Sequence, residues 1–259
     1  MHYRRPTIRR SRRSRRFAAL LALALALLLG SVALAATSGG PTVKYRAPGG
    51  NEIGLRPTGV GLPSIGESGT LGAGELDRAL IAYHDSGEYE SDIASVDEAA
   101  QSYLNAHLPS GHAKPALVLD IDETSLSNYA GLVTSGFTAA GTVATAATGT
   151  DTAIAPTLAL YHDAIAHGVA VFFITGRPEL IKSVTESNLE NVGYDEGWSG
   201  LYFKPSEAGT EQFKSSTRES IKKSGYKIVV NVGDQQSDLD GGFAQQDFKL
   251  PDPFYYIPD

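Results

Sequence analysis

The 259-residue sequence contains no cysteine. Disulfides and a lipid-modified N-terminal cysteine are thereby excluded, so the mature fold has only its core to stabilise it. No apolar run reaches the roughly 20 residues that a membrane-spanning helix needs. The uninterrupted stretch Phe17–Leu29 stops at thirteen. Acidic residues are missing from Met1 to Arg16, which carries eight arginines. A basic start, a short apolar stretch and then Ala33-Leu34-Ala35 together read as a secretory signal peptide cleaved after Ala35. The mature protein is therefore expected to be secreted and to have no stable membrane anchor. Arg15-Arg16 runs directly into Phe17, an imperfect twin-arginine signal, which leaves Sec and Tat export both open.

Positive charge is scarce in what remains. Loss of the eight arginines takes the formal charge from −7 to −7 − 8 = −15. An acidic chain without a basic stripe has no nucleic-acid footprint. The few cations that converge on a site become more informative for the same reason. With 42% hydrophobic and 20% charged residues, the composition is that of an ordinary globular protein, and its length is read as one main domain.

Three segments follow: a signal peptide over 1–35, a Gly/Pro-rich stretch over 36–74 with little regular structure expected, and a domain over 75–259. Helical periodicity begins at Glu75 and breaks at Ser86-Gly87, which predicts a helical pair ending near Leu108. Short apolar runs then alternate with amphipathic stretches. Strands are expected at Ala116–Ile121, Val169–Thr175, Leu201–Phe203 and Lys227–Val232. Helices are expected at Pro156–His167, Glu179–Val192 and Phe213–Ser224. This alternation implies an α/β fold, a parallel sheet flanked by helices, with right-handed crossovers. Ligands of such sheets bind beyond the C-terminal strand ends.

At the first of those ends stand Asp120-Ile121-Asp122-Glu123-Thr124. Residues two apart on an extended backbone face the same side, and two adjacent carboxylates call for a cation or a shared proton. Taken alone, the motif is equally a loop of solvated acids capping a helix. The second end carries Thr175-Gly176-Arg177-Pro178, where Pro178 is placed to open a helix and free N–H groups suit an oxyanion. An ordinary strand-to-helix turn would look the same. The third end carries Gly233-Asp234-Gln235-Gln236-Ser237-Asp238. Oxygen donors with no histidine or cysteine nearby favour magnesium over zinc, while a plain polar loop is the alternative. One shared site at one sheet edge is the economical reading of all three.

Asp120-x-Asp122-x-Thr124, Thr175-Gly176-Arg177, Lys214 and Gly233-Asp234-x-x-x-Asp238 resemble, in order, the four motifs of the haloacid dehalogenase (HAD) superfamily of phosphohydrolases. From about Glu75 onward the chain looks more narrowly like the class B acid phosphatases, a family that contains plant vegetative storage proteins and bacterial secreted acid phosphatases. The stretches Tyr83–Gly87, Phe213-Lys214-Ser215, Gly225-Tyr226 and Phe248–Tyr256 carry the likeness further. The resemblance implies a Rossmann-like core with a small cap insert at about 126–155. It implies that Asp120 is the nucleophile on a small phosphate monoester and that Asp122 is the general acid and base. Thr175 and Lys214 would hold phosphate oxygens. Mg2+ would be bound by the Asp120 carboxylate, the Asp122 main-chain carbonyl and Asp234, supported by Asp238.

Lys204 also follows an apolar run and rivals Lys214 for the motif lysine. The Ala/Gly/Thr-rich stretch Thr134–Thr152 lacks the aromatic residues expected of a substrate-facing cap and reads equally as a loop. Gln236 stands where the family commonly has tryptophan. The histidines are read as surface or packing residues, and Phe254, Tyr255 and Tyr256 as packing the chain end onto the body. A storage or binding protein on the same fold is the alternative function. A dehalogenase, which needs neither Asp122 nor a metal, is the other reading considered. Oligomeric state stays open.

Overall fold

In a computed structural model, the chain is described over residues 45–46, 52–53, 73–109, 113–195 and 197–257. The signal peptide expected over 1–35 lies outside the described residues, as does most of 36–74. Within the latter, Tyr45–Arg46 and Glu52–Ile53 pair as a short antiparallel ladder.

The sequence Lys114-Pro115-Ala116-Leu117-Val118-Leu119 is apolar at four successive positions, which suits a strand covered on both faces. It forms β1 (Lys114–Leu119), the middle of a five-stranded sheet. The other strands are β4 (Ala170–Pro178), β5 (Gly200–Lys204), β6 (Tyr226–Gly233) and β7 (Gln246–Lys249). They lie in the order β5-β4-β1-β6-β7, all parallel. The period of two decides the packing. Leu117, Leu119, Val171 and Phe173 share a core with Ile93, Leu104, Leu160 and Tyr161. Those partners come from α2 (Glu88–Ala106) and α5 (Ala155–Ala166). Ala116, Val118, Phe172 and Ile174 point the other way and pack with Ile221 of α7 (Thr210–Lys223). Before α2 comes α1 (Ala73–Asp85), and Gly87 makes the turn between them at a φ of 81°, a conformation that glycine adopts without cost.

Two differences from the sequence reading matter for the site. β4 runs on through Thr175-Gly176-Arg177 to Pro178, and Glu179–Ile181 form a 3-10 turn before α6 (Lys182–Asn191) begins. Pro178 therefore ends a strand instead of opening a helix. β7 was not expected, because Gln246-Asp247-Phe248-Lys249 buries only Phe248; an edge strand has little apolar run to show.

Between β2 (Leu126–Ser127) and β3 (Thr152–Ala153), which pair antiparallel, the chain forms α3 (Tyr129–Ser135) and α4 (Ala139–Thr148). A Cβ on Gly131 would lie 2.4 Å from the Gly141 carbonyl oxygen, and one on Gly141 would lie 2.2 Å from that of Gly131. The two helices thus touch backbone to backbone. Small residues are needed here for contact, which explains a composition that also reads as a loop.

A buried acid ties α2 to α5. Asp97 accepts a hydrogen bond from Thr157 Oγ1 at 2.8 Å, and its other oxygen has no hydrogen-bond partner among the described residues. Burial pushes its pKa up to about 7 from 3.8, and the Thr157 hydrogen bond offsets this only in part. Because the folded pKa is raised, Asp97 does not penalise folding below pH 3.8, and stability is lost as pH climbs toward 7. At about 1.4 kcal/mol per unit, the full effect is of order 4 kcal/mol. Asp97→Asn, which keeps an acceptor for Thr157, is expected to be more stable than the parent at neutral pH and equal to it in acid. Urea unfolding at the two pH values checks this; parallel pH profiles for the two proteins would contradict it.

Candidate active site

β1 lies between β4 and β6, so three parallel strand ends meet at one edge. Beyond β1, the Asp120 N–H still donates to the Val232 carbonyl of β6 at 3.1 Å. The chain then folds tightly on itself. The Ile121 carbonyl accepts from the N–H groups of Ser125 and Leu126 at 2.9 and 2.8 Å, Glu123 takes a φ of 51°, and Ser125 Oγ donates to the Asp120 carbonyl at 2.6 Å. This turn sends the two aspartates to different partners.

Asp120 is buried, and Lys214 of α7 donates from Nζ to its Oδ1 and also to Asp238 Oδ1. Lys214 is itself buried. Asp238 is fixed by its place in α8 (Gln236–Leu239), where its Oδ2 accepts the Gln235 N–H at 2.8 Å in a capping box. A Cβ on Gly233 would sit 2.3 Å from that of Asp238, so the motif glycine is a requirement of space. Asp234 is held by Thr124 Oγ1, which donates to its Oδ1 at 3.0 Å, and by Gln235 Nε2, which donates to its Oδ2 at 2.6 Å.

Asp120, Asp234 and Asp238 each offer a carboxylate oxygen, all within 4.8 Å of one another. Three carboxylates against the Lys214 ammonium leave a formal −3 + 1 = −2. Burial raises the pKa of Asp120 well above the usual range and Asp238 and Asp234 add to this, while Lys214 opposes it. Asp234 is likewise raised, by burial and then by Asp238 and Asp252. A buried, oxygen-only donor set with this charge excess fits a divalent cation. Among the described residues no histidine belongs to it; His84 instead stacks on Tyr129, ring centroids 3.3 Å apart.

The Asp122 carboxylate stands outside that triad. Arg177 Nε donates to both of its oxygens at 3.1 Å, Arg177 Nη2 to Oδ1 at 2.7 Å, and Asn128 Nδ2 to Oδ1 at 2.8 Å. Burial pushes the Asp122 pKa up, but the charge and hydrogen bonds of Arg177, with help from Asn128, outweigh it and leave the pKa below the ordinary value. Arg177 Nη2 also bonds Asp151 Oδ2 at 2.7 Å, and Asn128 Oδ1 accepts from Thr145 Oγ1 at 3.1 Å. Both groups that hold Asp122 are thus tied to the helical insert.

Thr175 is buried in the last part of β4, where its hydroxyl oxygen accepts the Arg177 N–H at 3.0 Å. Lys204 donates to the Ala208 carbonyl at 3.0 Å and closes a local loop. Lys214, not Lys204, touches Asp120. Asn128 and Asp151 are site residues that lie outside the motifs, whereas Arg177 and Gln235 stand inside the Thr175-Gly176-Arg177 and Gly233–Asp238 stretches without a role read for them there.

A sequence profile for HAD superfamily, subfamily IIIB (Acid phosphatase), matches residues 73–258. The chain belongs to the acid phosphatases of HAD subfamily IIIB. Among its relatives, the phosphatase is 34% identical to Acid phosphatase 1 of Solanum lycopersicum over 65% of this chain and 69% of that one. It is 34% identical to the Stem 28 kDa glycoprotein of Glycine max, over 71% and 75%. Vegetative storage protein 1 of Arabidopsis thaliana is 32% identical over 67% of each chain. The class C acid phosphatase from Bacillus anthracis has a similar structure, with a TM-score of 0.58 and 22% identity over 70% of this chain and 86% of that one. At that identity the likeness is one of fold.

Proposed function

We propose that the phosphatase is exported and that it hydrolyses small phosphate monoesters with Mg2+, through a phosphoryl group carried transiently on Asp120. The observation that carries this reading is the contact of buried Lys214 with Asp120 inside the acidic triad. The ammonium opposes the rise that burial imposes on the Asp120 pKa, and a bound cation would add to it, favouring the ionised form that attacks.

Asp120 would attack phosphorus as the ester P–O bond breaks, and the leaving alkoxide would take a proton from Asp122. Asp122, then ionised, would remove a proton from water. That water would displace Asp120 from phosphorus, releasing inorganic phosphate and restoring both carboxyl groups. Lys214 and the Thr175 hydroxyl would hold the phosphoryl oxygens in place. Held by Asp120, Asp234 and the Asp122 carbonyl, Mg2+ would supply charge to offset that of the transferring group. Because Arg177 keeps the Asp122 pKa low, the general acid holds its proton only in acid. Loss of that proton is expected to set the falling, alkaline limb of the pH–rate profile, and ionisation of Asp120 the rising one.

The export half of the proposal rests on the basic and apolar segment before Ala36. Some relatives are named as storage proteins, and a storage role on this fold is the second reading. The presence of Asp120 with its lysine favours turnover. Hydrolysis of an aryl phosphate by the purified chain is expected in acid with Mg2+, to fall by at least tenfold with excess chelator, and to return when Mg2+ is restored. Absence of turnover from a folded, Mg2+-supplied protein would leave the storage reading.

A further inference from the structure

Gln235 follows Asp234 directly and is buried. Its Nε2 donates to Asp234 Oδ2 at 2.6 Å and to Asp252 Oδ2 at 2.8 Å, while its Oε1 accepts the Ile257 N–H at 3.1 Å. An amide NH2 has two hydrogens, and here each has its own carboxylate. Neither glutamate, which cannot donate, nor the shorter asparagine can reproduce this pattern.

The chain end is fastened to the same turn at further points. The Leu250 N–H donates to the Gly233 carbonyl at 2.9 Å, and Lys249 Nζ bonds the Asp234 carbonyl. Asp252 Oδ1 accepts the Phe254 N–H at 2.8 Å, which fixes the carboxylate that Gln235 reads. Tyr255 Oη donates to Glu123 Oε2 at 3.2 Å, linking the tail to the turn after β1 as well. Phe254 is buried against Tyr89, centroids 4.9 Å apart. The tail therefore touches both strand-end turns that carry the acidic triad.

We propose that the C-terminal segment Lys249–Ile257 is a working part of the metal site, with Gln235 as the positioning residue that ties Asp234 to Asp252 and the chain end. This rests on the functional reading above. The physical reason is orientation. Asp234 is held by one donor on each oxygen, Thr124 from the β1 turn and Gln235 from the tail network. Outer partners of metal ligands fix the direction of the ligand, and their loss typically weakens metal binding 10- to 100-fold.

The test is calorimetric titration of Mg2+ into the mature chain, beside thermal unfolding and aryl-phosphate turnover at several Mg2+ concentrations. Gln235→Met, which keeps the volume and loses every side-chain hydrogen bond, is expected to raise the Mg2+ Kd about tenfold or more. The turnover it loses at low Mg2+ should return as Mg2+ is raised. Asp252→Ala leaves the Gln235–Asp234 bond in place and should shift the Kd in the same direction by less. A lower Tm with an unchanged Mg2+ Kd in both variants would overturn the proposal. If Gln235→Met does not fold, Asp252→Ala decides by the same criterion. A parent chain that neither binds Mg2+ nor hydrolyses ester would instead refute the functional reading, and this inference with it.

Discussion

Asp120→Asn is expected to lower kcat for aryl-phosphate hydrolysis by roughly ten-thousandfold, the scale seen when a group that works with its partners as one catalytic unit is removed. The substitution changes almost nothing in shape. It replaces a carboxylate with an amide that cannot displace an alkoxide from phosphorus. The fold should not suffer. Burial and the neighbouring Asp238 and Asp234 already press Asp120 toward its neutral form, and asparagine mimics that form. Tm in metal-free buffer should equal or exceed that of the parent chain. A large loss of rate without a loss of stability separates a nucleophile from a structural acid.

Lys214→Ala carries the second large effect, and here both quantities should move. The Lys214 ammonium is buried between Asp120 and Asp238, and the attraction of the two carboxylates raises its pKa despite its burial. Without it, both carboxylates stay buried and lose their cation. Breaking a buried pair this way costs on the order of 3 to 5 kcal/mol. Loss of a donor to the transferring phosphoryl group should add a roughly thousandfold drop in kcat. Mg2+ should recover part of the stability, since a cation again faces the triad, but not the rate. Thermal unfolding with and without Mg2+, beside steady-state kinetics, checks this. Full activity in Lys214→Ala would shift the role to another cation.

The parts legible in the sequence were those written locally. β1, β4 and β6 are continuous apolar runs that end at charged motifs, and a run buried on both faces leaves that mark whatever surrounds it. Lys214 was legible through the resemblance of Phe213-Lys214-Ser215 to the family's lysine motif. What was hidden depends on distance along the chain. Arg177 meets Asp122 across 55 residues, and Gln235 meets Asp252 across 17; no motif spacing encodes either contact. The Asp122 carboxylate is held by Arg177 and Asn128 and lies outside the triad, a pairing that alternation along an extended backbone does not reveal. The two helices of the expected insert left little mark for another reason: close contact at Gly131 and Gly141 replaces the apolar period that normally announces a helix.

Identification of the phosphorylated residue tests the central claim most directly. Turnover of a labelled phosphate monoester is quenched in acid within a single cycle, and the protein is digested and sequenced by mass spectrometry. The account predicts a phosphoryl group on Asp120, formed at least as fast as steady-state turnover and absent from Asp120→Asn. Full-rate hydrolysis with no label on Asp120, or with the label on another side chain, would contradict it.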